Sequence, residues 1–194
     1  MKVGLFGGTF NPPHIAHLIV AEAIRDQYDL DQVWWIPNHV SPHKVGFEGT
    51  PPEHRLAMVR LAIAEHPDFE LCDLEIRRAR VSYTVDTLRI LQAQYPSLDF
   101  YFIIGGDSLA TFDRWHATEE ILERVPLIVY PRPGAPIEVP DLPDNLGARI
   151  FLATAPLLNL SSTIIREQVG QGHSIRYIVP DAVRTYIEVH RLYI

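Results

Sequence analysis

The sequence predicts an α/β fold built on one open, parallel sheet with helices on both faces, and three observations carry that expectation. Short apolar, β-branched or aromatic runs recur at 2–6, 32–36, 69–76, 100–104, 127–130 and 149–153. Helical patterns lie between most of them and beyond, at 13–28, 52–66, 85–95, 117–124, 162–170 and 180–190. Alternation of this kind is the signature of consecutive βαβ units. The third observation is a Gly-Gly pair, Gly7-Gly8, that follows the first run and leads into the first helix. That arrangement is Rossmann-like, and in such sheets ligands bind outside the carboxyl ends of the strands, near the point where strand order reverses.

Taken in order, the first junction is the most informative. Gly7-Gly8-Thr9-Phe10-Asn11-Pro12-Pro13-His14-Ile15-Ala16-His17-Leu18 joins the first strand to the first helix. Glycine lets a backbone turn sharply and approach a ligand closely, and proline suits a helix start, where a missing N–H costs nothing. The free amides and positive dipole end of the helix then favour an anion such as phosphate. His14 and His17, three apart, fall on one side of the first helical turn and can face a single ligand. A tight structural turn and a histidine pair without a ligand fit the local pattern as well. A zinc site fits less well: it needs four ligands, and the lone cysteine, Cys72, has no partner cysteine. The glycine spacing is not G-x-G-x-x-G, which disfavours a dinucleotide redox site.

Two loop-like stretches interrupt the alternation. The segment 37–51 contains His39, His43 and Lys44 and reads as a surface loop that could cover the site, and 131–147 is rich in proline. Between the main elements lie four further signals. Gly105-Gly106-Asp107 puts a carboxylate just past a buried strand, suited either to ribose hydroxyls or to capping a helix. Ser82-Tyr83-Thr84-Val85-Asp86-Thr87 reads as a helix start with Thr84 as its cap. Arg114-Trp115-His116 offers a flat stacking face, although half-buried packing is the commoner fate of a tryptophan. Ser161-Ser162-Thr163-Ile164-Ile165-Arg166 places hydroxyls at a helix start and a guanidinium one turn later, which is either a plain N-cap or a second anion site.

The bulk numbers bound the function. A chain of 194 residues with 47% hydrophobic and 21% charged content is expected to form one folded domain, 1–194, rather than a disordered segment. The net charge of −7, with no basic run, argues against a nucleic-acid backbone as partner, whereas a small phosphorylated ligand needs only a few local cations. With one cysteine, no apolar run near the ~20 residues of a membrane helix and no cleavable leader pattern, the expected compartment is the cytoplasm, with no membrane partner.

With these segments in order, the whole chain resembles the nucleotidylyltransferase superfamily, and most closely its bacterial nicotinate-mononucleotide adenylyltransferases. GGTFNPPHIAHL is similar to the GG-[ST]-F-[DN]-P-x-H-x-[GA]-H-L signature, with Ala16 where many relatives have glycine, and SSTIIR to the [ST]-S-T-x-[IL]-R signature. WIPNHVSPHK, SYTVDTL, FIIGGDSLATFDRWH, YPRPG and VPDAVRTYI also fit. The resemblance implies adenylyl transfer from ATP to nicotinate mononucleotide, with Mg²⁺ carried mainly by the ATP phosphates and no dedicated protein metal site. It implies that His14, His17, Lys44 and Arg166 are catalytic, and that Gly8, Thr9, Phe10, Gly105, Asp107, Ser162 and Thr163 join them in binding ATP. Asn38, Lys44, Thr84, Trp115 and Arg132 are then expected around the mononucleotide. Another small-molecule nucleotidylyltransferase, with nicotinamide mononucleotide or phosphopantetheine as acceptor, and a non-catalytic nucleotide sensor are the alternatives. Preference for nicotinate over nicotinamide, metal choice and assembly state stay open, a homo-oligomer included.

Overall fold

The computed structural model describes residues 1–40, 49–134, 137 and 144–194. Six strands, β1 (Lys2–Gly8), β2 (Gln32–Pro37), β3 (Phe69–Leu71), β4 (Asp99–Gly105), β5 (Leu127–Tyr130) and β6 (Ile150–Leu152), form one sheet in the order β3-β2-β1-β4-β5-β6. All neighbouring pairs are parallel. Strand order therefore reverses between β1 and β4, and the tips of these two strands part to leave a crevice.

A parallel strand covered on both faces has no solvent side, so it reads as a continuous apolar run, and all of β5 is buried. Successive side chains supply opposite layers. Leu5, Ile104 and Val129 pack with Val85, Leu88, Ile121 and Leu122 on one face, while Phe6, Ile103 and Ile128 pack with Ala21, Ile24 and Val59 on the other. These layers are supplied chiefly by helices α1 (Ile15–Gln27), α2 (Pro52–Ile63), α4 (Thr84–Gln94) and α6 (Thr118–Arg124), with α3 (Leu74–Arg78) joining α4's layer through Leu74. After α5 (Gly106–Leu109) and α7 (Asp144–Gly147), the chain ends in α8 (Ser162–Gly170) and α9 (Asp181–Val189). Met58 of α2, Ile165 of α8, and Val183 and Ile187 of α9 make a third apolar cluster.

Several boundaries differ from the sequence expectation. The third run, 69–76, is a strand only as far as Leu71, since Asp73 starts α3 there and turns Leu74 into the core. The first helix begins at Ile15, with His14 rather than a proline as the residue before its first turn. Tyr83, not Thr84, is the N-cap of α4, and Thr84 is its first helical residue. The five-residue α3, the four-residue α5 and α7, and a 3₁₀ turn at Phe112–Arg114 are too short for hydrophobic periodicity to reveal.

Ile103 lies on the central strand β4 and is fully buried. Ile103→Ala is expected to lower the unfolding free energy by about 2–5 kcal/mol, through lost burial and the cavity left behind. Urea denaturation of the two proteins measures it, and a change below about 1 kcal/mol would mean that the layer collapses around the gap.

Candidate active site

The loop between β1 and α1 cannot hold its own shape. To present N–H groups inward it must turn carbonyls outward, and buried carbonyls need partners. Those partners come from distant parts of the chain. The Arg55 guanidinium donates to Thr9 O at 2.9 Å, the Ser162 hydroxyl to Pro12 O at 2.8 Å, and Arg166 Nη1 to Asn11 O at 2.9 Å. The Tyr193 hydroxyl donates to Asn11 Oδ1 at 2.7 Å. Phe10 sits inside this frame at φ 48°, a left-handed conformation unusual for a bulky residue, and its ring is buried. A methyl group on Gly8 would stand 2.9 Å from that ring, so the fold needs glycine there.

The Phe10 ring backs His17 edge-on at 5.1 Å, and His17 in turn stacks on His14 with ring centroids 3.6 Å apart. The backbone N–H of His14 donates to His17 Nδ1 at 3.2 Å. A neutral imidazole with Nδ1 accepting carries its proton on Nε2, so His17 is a donor on its far edge. Both rings are neutral near pH 7. Burial, helped by the Arg132 charge, lowers His14 to about 4, while burial, then His14 and Arg132, hold His17 well below the ordinary range. His14 Nδ1 is buried with no hydrogen-bond partner among the described residues.

This pair stands beside a cleft of about 840 Å³ over the tips of β1 and β4, lined by His17. That volume suits a small organic ligand. On one wall Arg132 Nη1 pairs with the Asp107 carboxylate at 3.3 Å, and Arg132 Nη2 donates to the Tyr130 hydroxyl at 3.0 Å. A methyl group on Gly105 would stand 3.0 Å from Arg132 Nε and nearer still to the Asp107 carboxylate, so it would push this half-exposed pair aside from its place over the strand end. The other wall is formed by Asn38, the Ser82-Tyr83-Thr84 turn and Trp115. Trp115 packs against Phe112 at 5.3 Å, and its indole N–H has no partner among the described residues. Tyr83 and His116 rings approach to 5.0 Å at the same end.

Of the residues expected at the site, Gly8, Thr9, Phe10, His17, Asn38, Thr84, Gly105, Asp107, Trp115, Arg132 and Ser162 all line the cleft. His14 lies in an adjoining hollow, shared with His17, Arg132 and Ser161. Arg166 and Thr163 are bonded to each other at 3.2 Å on the first turns of α8, whose N-cap is Ser161. Lys44 falls outside the described residues. Sequence reading missed Arg55 and Glu75. Arg55 looks like a solvated helix residue, yet it is buried and also donates to His39 O at 2.7 Å and Asn38 Oδ1 at 3.4 Å. Glu75 fell within the expected strand, and it is buried at the cleft. With Glu70 and Asp73 in the same run, its acidic side chain carried no signal that set it apart. Among the described residues no group of three or more His, Cys, Asp or Glu is placed to hold a metal, and no helix is long and apolar enough to cross a membrane.

A parallel sheet in this order, a glycine turn and histidine pair at its reversal point, and a second helix start carrying hydroxyls and arginine define a nucleotide-binding α/β domain of the nucleotidylyltransferase type. The cytidylyltransferase-like family matches residues 5–168. Over 193 residues the chain is 52% identical to a protein of Salinibacter ruber named probable nicotinate-nucleotide adenylyltransferase, covering 100% of this chain and 98% of that one. A protein of the same name from Exiguobacterium sibiricum is 43% identical, covering 100% and 99%. The chain belongs to the cytidylyltransferase-like family and, within it, to the nicotinate-nucleotide adenylyltransferases. The solved Plasmodium falciparum nicotinic acid mononucleotide adenylyltransferase complexed with NaAD has the same fold, with a TM-score of 0.80 at 21% identity over 99% of this chain and 97% of that one.

The neutral histidines have a consequence for stability. An imidazole whose pKa falls on folding binds its proton more tightly in the unfolded chain, so this contribution is level above the ordinary value and turns unfavourable below it. Stability is therefore expected to fall as pH drops from 6.5 toward 4, by roughly 3 kcal/mol from His14 alone. Urea denaturation across that range measures it in the native protein and in His14→Gln, which should lose much of the slope. Identical slopes in the two proteins would contradict the burial of a neutral His14.

Proposed function

We propose that the protein transfers the adenylyl group of ATP to the phosphate of nicotinate mononucleotide, giving nicotinate adenine dinucleotide and pyrophosphate, a step in NAD biosynthesis. The observation that carries this reading is the His14–His17 pair, a stack of neutral imidazoles fixed by the His14 N–H at the start of α1, beside the cleft. The names of the full-length relatives support the same reaction.

In the reaction an oxygen of the mononucleotide phosphate attacks the α-phosphorus of ATP. A phosphorus–oxygen bond forms there as the bond to the departing pyrophosphate oxygen breaks. The attacking phosphate is already ionised near neutral pH, with a second pKa of about 6, so no general base is needed. Alignment and charge stabilisation are what the protein supplies. His17, with its proton on Nε2, and His14 act as donors to the reacting phosphate. Neutral donors give the developing charge a hydrogen bond without first requiring a buried cation. The backbone of Gly8, Thr9 and Phe10 cradles ATP, Ser162, Thr163 and Arg166 address its β and γ groups from the start of α8, and Lys44 adds a further cation for phosphate. Gly105 and Asp107 meet the ribose. A divalent cation such as Mg²⁺ would arrive with the nucleotide and neutralise phosphate charge, and the imidazole, hydroxyl and guanidinium groups of the site would address the phosphates rather than the metal.

At the acceptor end, Trp115 stacks on the pyridine ring, with Asn38 and Arg132 nearby. The first amides of α4 have no intrahelical partner and stand in the positive field of the helix, which favours a pyridine carboxylate over a carboxamide.

Pyrophosphate release with ATP and, in parallel, nicotinate mononucleotide, nicotinamide mononucleotide and phosphopantetheine tests this reading. The nicotinate compound should give the highest kcat/KM, and preference for either other acceptor would overturn the substrate assignment. His17→Ala should lower kcat by about 10²- to 10³-fold with the fold intact, the usual cost of one preorganised donor. Arg166→Lys keeps the charge but loses the planar fork, and it should stay measurably impaired. Near-normal turnover of either variant would remove that residue from the mechanism.

A further inference from the structure

Glu75 is the one carboxylate buried at the cleft for which the reaction has no use. It is the second residue of α3, 9% exposed. Its Oε1 accepts from the Thr87 hydroxyl at 2.6 Å, and the Ser82 side chain is the other polar neighbour that favours its charged form. Ser82 is itself fixed from the other side, where its Oγ accepts the His39 N–H at 3.1 Å and its N–H donates to Val40 O at 2.9 Å. Among the described residues no lysine, arginine or histidine stands within ion-pair distance of Glu75, and burial pushes its carboxyl above the ordinary range. A buried acid without a cation is costly, and two hydroxyls could be satisfied by neutral groups. Its placement is what distinguishes it. Ser82 precedes the N-cap of α4 and Thr87 lies in its first turn, so the carboxyl is bonded to that turn through Thr87 and stands beside the residue that leads into it.

We propose that Glu75 is a positioning residue for acceptor choice. By bonding Thr87 beside Ser82 it holds the first turn of α4 so that the amides at Thr84 stay aimed into the cleft, and the preference for a carboxylate-bearing pyridine over its carboxamide depends on that clamp. This rests on the reaction proposed above. A helix start released from that hold frays and turns its amides to water. A carboxylate acceptor, which depends on those donors and their field, loses more than a carboxamide, which gains little from the dipole. ATP, bound over the tips of β1 and β4 and the start of α8, should not sense the change.

Steady-state kinetics of the native enzyme, Glu75→Ala, Glu75→Gln and Thr87→Val test it, with each pyridine mononucleotide at saturating ATP and with ATP varied separately. Glu75→Ala should raise the KM for nicotinate mononucleotide and lower the acid-to-amide ratio of kcat/KM by about tenfold, the scale of one or two lost hydrogen bonds. The KM for ATP should stay within about twofold. Glu75→Gln, whose Oε1 still accepts from Thr87, should recover most of the ratio. Thr87→Val, nearly isosteric, should shift the ratio the same way as Glu75→Ala, which keeps the test open if the alanine variant folds poorly. An unchanged ratio in Thr87→Val and in folded Glu75→Ala, or equal losses for both acceptors and ATP, would overturn the clamp. Failure of the native enzyme to turn over either mononucleotide would instead sink the parent reading, and this inference with it.

Discussion

The outward-facing oxygens of the 9–12 loop are the constraint on which the site depends. A phosphate cradle needs its amides turned inward, so its carbonyls must find donors elsewhere. Here they find Arg55 from α2, Ser162 and Arg166 from α8, and Asn11 is held through its side chain by Tyr193, beyond α9. Packing follows the same lines: Met58, Ile165, Val183 and Ile187 join α2, α8 and α9 in the apolar cluster that carries these donors. The C-terminal helices thus help to hold the 9–12 loop, although they contribute no strand to the sheet.

Electrostatics at the cleft are local and mixed in kind. A chain of net charge −7 gathers beside β1 and β4 a buried neutral His14, a half-buried neutral His17 and a few guanidinium groups. Arg132 contributes twice, lowering both histidines and pairing with Asp107 across the Gly105 backbone. That pairing joins Asp107 and Arg132 in one charged unit on one wall of the cleft. Arg55 solves a different problem. Burial lowers its guanidinium from the ordinary value, and its buried charge is met by backbone and amide oxygens of the loops on both sides.

The two ends of the cleft are built by different means. At the nucleotide end the ligand-facing groups sit on a strand tip and a helix start in direct continuation of the central strands β1 and β4. At the other end the lining residues Thr84 and Trp115 sit at the start of α4 and just after a 3₁₀ turn, outside the sheet, beside the hydrogen bonds of His39 N–H to Ser82 and of Thr87 to Glu75. Positions fixed by the sheet share its rigidity, whereas positions fixed by a few polar contacts can be retuned by single substitutions.

By itself the sequence determined the alternation of strands and helices, the glycine turn after β1, the histidine pair and the SSTIIR helix start, because each is written in contiguous residues whose spacing matches a local period or turn. It also led to the residues lining the cleft, through motifs that are short and continuous. Tertiary structure alone decided where β3 stops, since the 69–76 run carries strand-like composition throughout and only the placement of Leu74 in the core turns its second half into α3. It likewise decided that Tyr83 caps α4, that Arg55 and Tyr193 support the phosphate loop and that Glu75 faces the cleft. Those roles join residues separated by up to 182 positions, and a hydrogen bond across such a distance leaves no periodic trace in a single chain.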